Sequence, residues 1–196
     1  MSNSETRKQQ TRLLVLGAVF TALVIVLQFL GTFIRFGMFS ISLVLLPIII
    51  GAATCGYKIG AWLGFVFGVV VLLSGDATAF LTVNYWGTIA TVLVKGTLCG
   101  FFAGLVYSAL AKYNQYLAVM AAAIVCPIVN TGIFLLGCQI FFLETIKEWG
   151  AAAGFNNVAA YMFLGLAGGN FLFELGTNLV LSPAVVRVLK LTKIHK

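Results

Sequence analysis

Long apolar runs dominate the chain, and polar residues interrupt them at a few places only. A helix rises about 1.5 Å per residue and needs about 20 predominantly apolar residues to cross the hydrocarbon core of a bilayer. On that rule the pattern predicts spans near 12–34, 41–55, 57–73, 87–111, 117–141 and 159–186. The second and third are short and meet at "CGYKIG", where Gly56 and Lys58 predict a tight turn. The polar opening "MSNSETRKQQTR" runs into a full-length span without a small-residue cleavage site, so it does not read as a removable signal peptide.

Composition points the same way. Of 196 residues, 61% are hydrophobic and 9% charged, where soluble domains carry about a quarter charged residues. The mean hydropathy is +1.08. The expected fold class is therefore an all-α integral membrane protein, with six transmembrane helices in one bundle and residues 1–196 as a single membrane domain.

Lysine and arginine set the orientation. Arg7, Lys8, Arg12, Lys58, Lys112, Arg187, Lys190, Lys193 and Lys196 fall on one side of the predicted bundle. Arg35 and Lys147 fall on the other, together with the acids Asp76, Glu144 and Glu148. Both termini are expected in the cytoplasm, and the net charge of +7 reads as membrane orientation, with no nucleic acid as partner. Cys55, Cys99, Cys126 and Cys138 lie in apolar stretches without C-x-x-C spacing, so inert thiols are expected, with no metal and no cofactor.

This topology leaves long outer loops at 31–40, 74–86 and 143–157, and very short inner ones. Glycines recur every four residues at Gly56, Gly60, Gly64 and Gly68, and again at Gly96, Gly100 and Gly104. Such stripes allow close helix approach in lipid and predict internal packing. In the first span "AVFTA" puts Ala18 and Ala22 on one face near the cytoplasmic end, a surface suited to a partner protein.

Lys95 is the exception to the apolar rule. A charged residue inside the membrane is costly and faces the bundle interior or an aqueous cavity. Counted from the outer helix ends, Lys95, Asn130 and Asn170 lie about 12, 16 and 13 Å deep. Three polar side chains on three spans at similar depth are what a ligand pocket needs. Asn170, Glu174 and Asn178, four apart, share a face of the last span, with Glu174 about 20 Å deep. Two readings of Lys95 stay open. It pairs with Glu174 to hold the bundle, or it serves a ligand while Glu174 forms the pocket floor.

A cation beside amides suits a small anion with hydroxyl or amide groups. From the second outer loop, Phe80, Asn84, Tyr85 and Trp86 are candidates to cover such a ligand, and Arg35 in "FIRFGMFSIS" is a candidate lid cation. Catalysis is not expected, because the one histidine is His195 in the tail and Glu174 is the one embedded acid. A small homo-oligomeric channel is the alternative from a different class.

Six predicted spans, cytoplasmic ends and a first helix with A-x-x-x-A at Ala18 and Ala22 followed by a long outer loop together resemble the substrate-binding S component of energy-coupling factor (ECF) vitamin transporters. So do "LLPIIIGAATCGYKIGAWLGFVFG" (45–68) and "ELGTNLVLSPAVVRVLK" (174–190). Within that family, "NYWGTIATVLVKGTLCGFFAGLVY" (84–107) and "CPIVNTGIFLLG" (126–137) look most like the pantothenate-type members. The resemblance implies a plasma-membrane subunit that binds a vitamin on the outer side. A transmembrane coupling protein and two cytoplasmic ATPases would then supply the energy. The chain has no G-x-x-x-x-G-K-[ST] phosphate loop, in keeping with ATP hydrolysis on partner subunits. Pantothenate, with a carboxylate, two hydroxyls and an amide, suits the candidate groups. Riboflavin, hydroxymethylpyrimidine and pyridoxine stay open as alternatives.

Overall fold

The computed structural model describes residues 3–33, 35–36, 39–40 and 43–194. Helix α1 runs Asn3–Gly31, and a two-residue antiparallel ladder follows, β1 (Arg35–Phe36) on β2 (Phe39–Ser40). Then come α2 (Leu45–Cys55), α3 (Tyr57–Leu73), the short α4 (Thr78–Leu81), α5 (Tyr85–Leu110) and α6 (Gln115–Phe141). The chain closes with α7 (Leu143–Ala152), α8 (Val158–Ala160), a π-helical turn (Tyr161–Leu166) and α9 (Gly168–Ile194).

Each expected span thus has a helix, with shifted ends. Helices α1, α5, α6 and α9 contain segments long and apolar enough to cross a membrane, whereas α2 and α3 are shorter apolar helices. The expected last span is not continuous. The amide of Ala167 bonds to the Met162 carbonyl at 3.1 Å, five residues back, and this π turn inserts an extra residue before α9. The expected third outer loop, 143–157, is largely helical, as α7.

Local chemistry explains the breaks. Gly56 takes φ +94° and joins α2 to α3 without an intervening loop; Gly75 takes φ +85° and turns the chain from α3 toward α4. Both values lie in the left-handed region that glycine enters at little cost. Asn84 and Asn114 cap α5 and α6, each side chain accepting from backbone amides of the first turn.

The glycine stripes do pack internally. A Cβ on Gly64 would collide with the carbonyl of Gly96, and one on Gly96 with the carbonyl of Gly64. Gly60 and Gly100 exclude side chains from one another in the same way, while Gly104 lies against the Tyr57 backbone. Gly56 departs from the stripe, because it serves the turn and has no atom near its Cβ position. All four cysteines are free; Cys99, Cys126 and Cys138 are buried and Cys55 is half-buried. Large side chains such as Leu14, Val15, Val26 and Leu30 line the outward surface of α1, as expected of a lipid-facing helix.

Candidate functional site

Because glycines hold α5 against α3, the neighbouring face of α5 is free to turn inward. That face carries Thr88, Thr91 and Lys95, spaced three and four apart. On α6, Asn130 and Phe134 share a face, and on α9 so do Asn170 and Glu174. These residues line one cavity, together with Phe67 and Val71 of α3, Gln28 of α1, and Asp76, Ala77 and Phe80 of the α3–α4 segment. About 60 Å³ of it is accessible to the centre of a water molecule, within about 610 Å³ of empty space when the open mouth is included. A smaller space of about 30 Å³ adjoins Lys95, Asn130 and Asn170 and is walled by Thr131, Leu166 and Ala167, at the π turn.

The polar groups of the cavity are ordered by one another. Asn170 Nδ2 donates to Glu174 Oε1 at 3.1 Å, and Asn130 Nδ2 makes a longer contact of 3.5 Å to Glu174 Oε2. Glu174 is 1% exposed, so its carboxylate is desolvated and held by amide donors. Gln28 Nε2 donates to Asp76 Oδ2 at 2.7 Å, which ties α1 to the turn after α3.

Lys95 does not pair with Glu174. Among the described residues the one ion pair within 4.0 Å joins Lys147 to Glu144 at the surface. The Lys95 ammonium instead stands 5.8 Å from the Phe67 ring centroid and 5.4 Å from that of Phe134, within cation–π range of both. Phe134 meets Phe80 edge-on at 5.6 Å, and Phe80 in turn meets Phe142 at 5.1 Å and Trp149 at 5.4 Å. Phe80, Phe134 and Phe142 therefore form one aromatic wall, with Trp149 behind Phe80.

The structure brings Lys95, Asn130, Asn170 and Glu174 to one cavity, with Phe80 beside them. It does not bring Asn84, Tyr85 and Trp86 there. Asn84 Oδ1 accepts from the Gly87 amide at 2.9 Å, as the cap of α5. Tyr85 and Trp86 stack edge-to-face on each other, and Trp86 is 77% exposed. The Arg35 backbone belongs to β1, but its side chain, and with it the expected lid cation, lies outside the described residues. Ala18 and Ala22 are exposed on α1. Sequence reasoning missed Gln28, Thr88, Thr91, Phe67 and Phe134, and it left Asp76 without a role. Gln28 is the one of these with a visible signal, as a polar residue near the outer end of an otherwise apolar span.

Comparison with known proteins agrees with this architecture. Residues 12–186 match the family described as ECF transporter, substrate-specific component, and the chain belongs to that family. It is a multi-pass membrane protein of a class whose members are substrate-binding transport subunits. No curated protein and no solved structure matches it.

Proposed function

We propose that the chain is the vitamin-binding subunit of an ECF-type importer in the plasma membrane, with six spans and both termini cytoplasmic, and that its substrate is pantothenate. The observation that carries this reading is Lys95: an ammonium on the cavity wall, with no carboxylate within 4.0 Å among the described residues and two amide side chains beside it. An ammonium so placed favours a ligand carboxylate, and Asn130 and Asn170 suit the hydroxyls and amide of a polar acid. Glu174 lies at the cavity floor and orients both amides. Ala18 and Ala22 present a small-residue face to the transmembrane coupling protein, and two cytoplasmic ATPases hydrolyse ATP.

The experiment is mass spectrometry of the small molecule that co-purifies with the detergent-solubilised protein. A mass matching pantothenate supports the assignment. A mass matching riboflavin, hydroxymethylpyrimidine or pyridoxine replaces the vitamin and keeps the subunit class.

A further inference from the structure

A lysine side chain is a flexible four-carbon stem that ends in a compact, strongly hydrated ammonium. Among the described residues the Lys95 ammonium has neither an ion pair nor a hydrogen bond. What it has is two rings. It stands 5.4 Å from the Phe134 centroid on α6 and 5.8 Å from the Phe67 centroid on α3. Both distances fall within the about 6 Å at which a ring face attracts a cation, and the attraction grows where water is excluded. A ring face offers no lone pair, so the three N–H donors remain available to an oxygen acceptor. Lys95 is half-buried, and with Phe134 it lines both the main cavity and the smaller space at the π turn. Its ammonium makes no hydrogen bond yet is not enclosed, so its open side faces that space.

The two rings differ in what else they do. Phe67 is 2% exposed and belongs to the main hydrophobic core. Phe134 is half-buried, and its ring is set by Phe80, which meets it edge-on at 5.6 Å. Phe134 and Asn130 are one turn apart, so a single face of α6 carries both the ring and the amide toward the cavity. A loose lysine would have to be ordered when its ligand arrives. Ordering one such side chain lowers affinity by roughly 2- to 13-fold, and a lysine already held in place avoids that loss.

We propose that Phe134 is a positioning residue of the substrate site: its ring, together with Phe67, holds the Lys95 ammonium at the cavity with its donors free for the carboxylate of an anionic substrate. This rests on the ligand-binding reading of Lys95 and adds a residue that acts through the charge. The effect is therefore largest for acids. An uncharged ligand in the same cavity gains far less from a fixed ammonium.

The test titrates wild type, Phe134→Leu and a form carrying a trifluorinated phenylalanine at position 134, each monodisperse in detergent, with pantothenate and its alcohol analogue. Leucine removes the ring. Fluorination keeps a ring of similar shape and draws negative charge from its face, which separates charge attraction from packing. Pantothenate should bind roughly 2- to 13-fold more weakly to both altered forms. The alcohol should bind all three nearly alike, so the preference for the acid falls by the same factor. Equal losses for both compounds would make Phe134 an apolar wall or a packing residue and overturn the proposal. Wild-type acid affinity in the fluorinated form also overturns it. So does tighter acid binding, because the rings would then compete with the ligand for the ammonium. If Phe134→Leu does not stay monodisperse, the fluorinated form decides. A wild type that binds neither compound overturns the pantothenate assignment instead, and the co-purifying acid and its methyl ester then replace the pair. A co-purifying molecule without an acid group overturns the positioning role as well.

Discussion

Gly64 of α3 and Gly96 of α5 exclude side chains from one another: a Cβ on either would collide with the other's carbonyl. Lys95 precedes Gly96 and so lies about 100° around the helix, which turns it away from α3's backbone and toward the cavity between the helices. The close crossing of α3 and α5 thus sets the direction of Lys95.

Gly64→Val and Gly96→Val should each destabilise the protein by about 1–3 kcal/mol or more, because the helices must separate to admit the side chain. Gly132, in the interior of α6, has no atom within 4 Å of its Cβ position. Gly132→Ala should therefore be neutral or gain up to about 1 kcal/mol. Thermal unfolding in detergent, read by loss of monodisperse protein, measures all three. A wild-type midpoint for Gly64→Val would refute the packing argument.

Lys95→Ala should weaken pantothenate binding by about 30- to 4,000-fold, from the 2–5 kcal/mol typical of losing a buried charge partner. The variant should still fold, since Lys95 has no ion pair to lose among the described residues. Titration with pantothenate and its alcohol analogue checks the cause. Wild type should prefer the acid, and the variant should not. Rescue of a misfolded Lys95→Ala by changing Glu174 would point instead to a structural pair.

Glu174→Leu should cost about 1–3 kcal/mol for each amide left unsatisfied, because Asn130 and Asn170 both donate to that carboxylate. Glu174→Gln keeps an acceptor oxygen for one of the two amides and should lose less stability than the leucine form. The two variants should differ in unfolding midpoint, and also in ligand affinity, since both amides lose their acceptor only in the leucine form. Equal midpoints would remove Glu174 from its positioning role.

Ala18→Trp and Ala22→Trp should abolish vitamin uptake and leave binding to the solubilised protein intact. Both alanines are exposed on α1, and neither lines the cavity. Uptake into vesicles carrying the full transporter and titration of the isolated subunit are the paired measurements. Loss of binding along with uptake would make this face internal packing.

The sequence by itself determined the membrane class and where the apolar helices lie, four of them long enough to cross a bilayer, because hydrocarbon demands about 20 apolar residues per crossing and tolerates few exceptions. For the same reason it exposed Lys95, Asn130, Asn170 and Glu174, since polar residues in apolar helices are conspicuous. The glycine stripes were legible too, through their repeat of four. It did not show which helix faces meet. Thr91 looks like any helical threonine until its side chain is found packed against Gly137 of α6 and Asn84 and Leu93 are found to take the hydroxyls of its neighbours. Nearness in sequence to the pocket-facing helix made Asn84, Tyr85 and Trp86 look like ligand contacts, yet the α5 N-terminus needed a cap and the two rings turned outward. The π turn before Asn170 and the Gln28–Asp76 bond also required the tertiary structure. Periodicity fixes which residues share one helix's face, whereas helix rotation and crossing depend on packing between distant segments, and only those decide which faces enclose a cavity.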